Sequence, residues 1–160
     1  MKLTESNALA RVAAYCSKAE RCEYDVRKKL LGWELTEEEQ QRIIERLRKE
    51  KFLDERRFVQ SFVKDKIRFN KWGKAKISFE LRKKKIPADI INECLGELDE
   101  SELDESLRKI LETKNKSIKA QNDYERKTKL IRFALSRGFS MDQVLKTLTG
   151  IIGNTDEEYF

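Results

Sequence analysis

Apolar residues recur three and four positions apart along almost the whole chain, and the pattern restarts roughly every 50 residues. Leu9, Val12, Ala13 and Cys16 share one helical face, and Val26 and Leu30 anchor a second helix. Thr36 and Glu39 form a T-x-x-E capping box that opens a third, with Ile43, Ile44 and Leu47 inside. Asp54 can cap a fourth carrying Phe58, Val59, Phe62 and Val63, and Gly73 marks a break. Ile77 and Leu81 belong to a fifth helix, and Pro87 opens a sixth with Ile90, Ile91, Cys94, Leu95 and Leu98. Ser101 and Asp104 suggest the start of a seventh, which buries Leu103, Leu107, Ile110 and Leu111. A polar stretch over 114–123 reads as a connection. Leu130, Ile131, Ala134 and Leu135 define an eighth helix ended by Gly138. Ser140 and Gln143 box a ninth, with Val144, Leu145 and Leu148 inside and Gly150 as its stop.

These helices fall into three groups of three. Aligning Ile77 with Leu130 brings Ile86 onto Phe139, Asp89 onto Asp142, Ile91 onto Val144 and Leu95 onto Leu148. The expected fold is all-α: three tandem three-helix, helix-turn-helix-like repeats over 4–53, 54–99 and 100–150, forming an elongated, curved array. An acidic tail over 151–160 would follow. A single compact helical domain with a shared period is the alternative. One proline and six glycines leave few positions that interrupt helices.

The residues also exclude much chemistry. Histidine is absent, which removes the commonest general base and metal ligand. Cys16, Cys22 and Cys94 form no CxxC pair and read as reduced thiols of a cytoplasmic protein. No G-x-x-x-x-G-K-[ST] or G-x-G-x-x-G loop occurs, and no apolar run is long enough for a membrane span. We therefore expect no catalytic residue, no metal and no cofactor.

Charge is segregated. Between Lys64 and Ile86 ten bases stand against two acids, a local balance of +8, whereas the whole chain carries +6. The bases Lys64, Lys66, Arg68, Lys71, Lys74, Lys76, Arg82, Lys83 and Lys84, with Trp72, are the candidate contact residues for a protein or DNA partner. Lys85 is the tenth base, and Phe69 is interleaved with the others. Such a run can be a solvated face, a phosphate-contacting surface, or a surface for a nucleoprotein filament. Trp72 is expected to pack at a bundle junction rather than stack on a base. A thinner basic run includes Arg126, Lys127, Lys129, Arg132 and Arg137.

Several segments resemble the RecX family. They are Ala8-Leu9-Ala10-Arg11, then Lys51-Phe52-Leu53-Asp54-Glu55-Arg56-Arg57-Phe58, then Lys71-Trp72-Gly73-Lys74-Ala75-Lys76-Ile77 with Glu80-Leu81-Arg82-Lys83-Lys84-Lys85-Ile86, and finally Arg137-Gly138-Phe139-Ser140. The resemblance runs from about residue 8 to 149. Cys22 departs from it where a capping serine is expected, and Lys85 where a glycine is expected. The resemblance implies a regulator that binds the RecA filament on single-stranded DNA and inhibits its extension, ATPase, strand-exchange and coprotease activities. Weak direct DNA binding and a monomeric state are further expectations. A stand-alone DNA-binding helical module is the alternative, and a helical scaffold for another partner a third reading.

Overall fold

The computed structural model describes residues 1–152, so most of the expected acidic tail lies outside the described residues. Among the described residues the regular structure is helical throughout. The helices are α1 (Glu5–Lys18), α2 (Glu23–Leu30), α3 (Glu37–Lys49), α4 (Glu55–Asp65), α5 (Lys74–Lys83), α6 (Ala88–Gly96), α7 (Glu100–Ser117), α8 (Asp123–Ser136) and α9 (Met141–Ile152). A 3-10 turn, Leu31–Trp33, follows α2, and a π-helical turn, Lys66–Asn70, extends α4.

Most helix starts use the side chains that the sequence offers. Thr36 accepts from the Glu39 amide while Glu39 accepts from the Thr36 amide, closing the expected box. Asn122 caps α8 through the Glu125 amide, and Ser140 accepts from the Gln143 amide at α9. Four boundaries differ from expectation, the first being that of α6, which ends at Gly96, short of Leu98. Asp99, not Ser101, caps α7: its carboxylate accepts the Ser101 amide and hydroxyl. That helix then runs to Ser117, which shortens the polar connection. α9 continues through Gly150 to Ile152, because Gly150 does not adopt the left-handed conformation that would end the helix.

By packing, the chain divides into two compact units. The first comprises Met1–Phe62 and Leu81–Cys94. Its core joins Ala8, Val12 and Cys16 of α1 to Val26 and Leu30 of α2, and to Ile43, Ile44 and Leu47 of α3, with Leu53 closing it. Ala8 is the deeper residue of α1, and Leu9 is only partly covered. Arg57 fixes the entry to α4: its guanidinium meets both oxygens of Glu20 at 2.8 Å and donates to the Lys51 carbonyl at 2.9 Å.

The second unit comprises, among the described residues, Val63–Glu80 and those from Leu95 to Ile152. Here α7, α8 and α9 pack against one another. Leu103, Leu107, Leu111, Leu130, Ala134, Val144 and Leu148 are all fully buried. Leu135, expected inside, is 39% exposed. The π turn lies against α7, where the buried Ser106 hydroxyl donates to the Ile67 carbonyl at 3.3 Å.

Candidate partner-binding surface

The basic segment is shaped by two irregular backbone features. The π turn ends at Lys71, whose φ of 55° is left-handed and whose amide returns to the Lys66 carbonyl. π turns inside helices often accompany functional sites. The Trp72 amide also reaches the Lys66 carbonyl, at 3.1 Å. Two residues later the chain enters α5 against the end of α8: the Gly73 amide donates to the Arg137 carbonyl at 2.7 Å, and the Ala75 amide to the Gly138 carbonyl at 3.1 Å.

Seven of the ten candidate residues belong to the second unit. Trp72 is half-buried, with the ammonium groups of Lys66 and Lys76 at 5.0 and 4.8 Å from its ring centre. Each contact is worth about 0.5–1 kcal/mol where water has access, and together they hold two positive charges beside one ring. Lys64 and Arg68 are exposed. Lys71 donates its ammonium to the Arg68 carbonyl at 2.7 Å. Lys74 forms an ion pair with Glu100 at 2.6 Å. Arg137 approaches the same turn, donating to the Asn70 carbonyl at 3.4 Å, and its guanidinium lies 5.0 Å from the Phe133 ring. Phe69, in the π turn, is 73% exposed.

Arg82, Lys83 and Lys84 belong to the first unit. Arg82 and Lys83 are exposed. Lys84 is half-buried and bonds Asp25 at 2.6 Å. Burial alone would lower its pKa, but the hydrogen bond to Asp25 and the attraction of its charge, acting together, raise it. Asp25 is held below the usual carboxylate range: burial raises it, and Lys84 and the Cys22 amide more than reverse that effect. Cys22 thus replaces the expected capping serine with its backbone, donating to Asp25 at 3.3 Å, while its fully buried thiol is pushed by burial to about 12.

Lys85 is not glycine, yet it takes the left-handed conformation at φ 59°. Its amide bonds the Arg82 carbonyl and that of Ile86 bonds Leu81, closing α5 in a Schellman turn. Gly138 and Phe139 make the same pair of bonds, to Leu135 and Ala134. Sequence reasoning marked Gly73 and Gly138 as separate turns and missed their apposition. It also missed Asp25 as the partner of Lys84, because the two stand 59 positions apart. Lys127, in the thinner basic run, is 8% exposed and so contributes little surface. Among the described residues no helix is long and apolar enough to cross a membrane, and no cluster of His, Cys, Asp or Glu could hold a metal.

Comparison with known proteins places these features in a family. Residues 54–95 match the model described as RecX, second three-helix domain, and residues 100–148 match RecX, third three-helix domain. The chain is 32% identical to a regulatory protein RecX of Clostridium acetobutylicum over 93% of this chain and 71% of that protein. It is 30% identical to one from Prosthecochloris aestuarii over 92% of this chain and 95% of that protein. A crystal structure of a regulatory protein RecX superposes with a TM-score of 0.83 at 24% identity, covering 90% of this chain and 72% of that one. With matching three-helix domains, relatives aligned over nearly all of this chain and a shared all-helical fold, the chain belongs to the RecX family of regulatory proteins.

Proposed function

We propose that the protein binds the RecA filament on single-stranded DNA and restrains it, lowering filament extension, ATP hydrolysis, strand exchange and coprotease activity without catalysing a reaction itself. The supporting observation is the gathering of Lys64, Lys66, Arg68, Lys71 and Lys76 around the π turn and Trp72, beside the Lys74–Glu100 ion pair. A basic surface of this kind suits a nucleoprotein filament, which offers acidic protein and phosphate together. Lys84, engaged with Asp25, acts in this reading as a structural residue, while Arg82 and Lys83 lie on the exposed side of α5. The protein would act as a cytoplasmic monomer.

The deciding experiment is ATP hydrolysis by the cognate RecA on single-stranded DNA, with this protein sub-stoichiometric and salt physiological. A clear fall is expected, and an unchanged rate would refute the proposal.

Exposed Phe69 favours a second reading, direct contact with single-stranded nucleic acid. Affinity for bare DNA that falls steeply with salt would support it. Persistent filament binding in the same salt would leave the first reading in force.

A further inference from the structure

The first unit contains a groove of about 680 Å³, within the size range of ligand-binding clefts. Tyr24, Leu31 and Pro87 supply apolar lining, and Leu31, in the 3-10 turn after α2, is 73% exposed. A solitary exposed leucine is ordinary, but one that shares a concave surface with a tyrosine and a proline is a candidate anchor site.

The charges of the groove select its occupant. Its carboxylates already have partners. Glu23 pairs with Arg27 at 2.9 Å and with Arg48, Glu37 pairs with Arg27 at 3.2 Å, and Glu55 accepts the Glu23 amide at 3.0 Å. Lys84 is committed to Asp25. Lys28 and Lys85 also line the groove, are exposed, and form no ion pair among the described residues. The Glu55 carboxylate meets only a neutral amide, so two lysines stand against one carboxylate, and the remaining charge is positive and lies beside an apolar lining.

We infer that this groove docks an acidic peptide segment of a partner protein, seating an apolar side chain against Leu31, Tyr24 and Pro87 while its carboxylates face Lys28 and Lys85. A nucleic-acid strand fits less well. Its continuous phosphates would meet the carboxylates of Glu23, Glu37 and Glu55, whereas a peptide can turn backbone N–H groups toward them.

Fluorescence anisotropy with the full chain tests the inference. One probe is a short fluorescein-labelled peptide of Asp and Glu flanking a central Leu-Phe pair. Others carry Ser-Ser at the centre, or Lys in place of the acids, and a dT oligonucleotide represents the competing occupant. The acidic Leu-Phe peptide should bind saturably and more tightly than the other peptides. Leu31→Asp should weaken it about tenfold. Leu31→Ala should weaken it less, and Lys28→Glu should weaken it while flattening its salt dependence. Both positions are exposed, and circular dichroism checks that the variants stay helical. Equal binding of the Ser-Ser peptide, or an unchanged affinity in both Leu31 variants, would overturn the inference. So would oligonucleotide binding that Leu31→Asp abolishes, which would give the groove to nucleic acid. Loss of RecA regulation with peptide binding intact would count against the proposed function alone.

Discussion

Gly73 and Gly138 meet backbone to backbone: a Cβ on Gly73 would lie 2.4 Å from the Gly138 carbonyl oxygen, and one on Gly138 would lie 2.5 Å from the Cβ of Lys76. Gly138 also needs φ of 94°, which side chains rarely adopt. The start of α5 and the end of α8 can therefore share hydrogen bonds only while both positions lack a side chain.

Gly73→Ala should destabilise the protein by about 1–3 kcal/mol, the usual cost of forcing extra atoms into a packed site. Gly150→Ala is the matched control. It sits inside α9 with nothing within 4 Å of its would-be Cβ and should stabilise by about 0.5–1 kcal/mol. Urea denaturation compares the two, and equal effects would refute the close approach.

Lys84→Met should cost about 1–2 kcal/mol at neutral pH, because it leaves Asp25, 15% exposed at its side chain, without its cation. The pH dependence has a definite sign. The Asp25 carboxyl is depressed in the folded state from an ordinary value of 3.8, so its contribution is full above that value and is lost as pH falls through the folded value. In the variant, stability should fall less steeply on the acid side, as read by denaturation at a series of pH values.

Glu55 shows the opposite behaviour. Burial raises its pKa above 4.5, so ionisation weakens the fold as pH rises from that value through the folded one. Glu55→Gln keeps an oxygen to accept the Glu23 amide and removes the charge. It should be neutral to stabilising at pH 7, by no more than about 1 kcal/mol since water still reaches the group. A loss of stability at pH 7 would show that the charge itself is needed.

Replacing Lys71, Lys74 and Lys76 with glutamate should disable filament regulation. However, Lys74→Glu also sets two carboxylates at the Glu100 contact. The cleaner variant is Lys64→Glu with Arg68→Glu, both exposed, which should lose regulation with unchanged melting temperature. Full ATPase inhibition by that folded variant would remove the basic segment from the proposed contact surface.

The three cysteines are buried, and burial raises the pKa of Cys16 and Cys22. A thiol reagent should leave all of them unmodified in the native protein at neutral pH and label three per chain after unfolding. Rapid native labelling would contradict this burial.

Much of the fold was legible because helical spacing and capping chemistry are local. Thr36 with Glu39 and Ser140 with Gln143 lie within four residues of one another. Where two local signals competed, proximity misled: Asp99 supplied the cap of α7 two residues before the serine that looked suited to it. Long-range pairings left no local trace. Lys84 reads as one more base in a run, and only the fold brings Asp25 to it. The candidate residues were legible as a charge excess, but which of them already have acidic partners depends on α2 and α7, distant in sequence.

Lys51, Lys71 and Lys85 all hold the left-handed backbone conformation that costs an ordinary L-residue about 1–2 kcal/mol. At each of them conformational ease and electric charge are set against each other within a single residue. Glycine and asparagine both discard the cation and both tolerate the turn, so either substitution exchanges charge for backbone ease. At these turns the chain keeps a cation at a cost in backbone strain that glycine would remove.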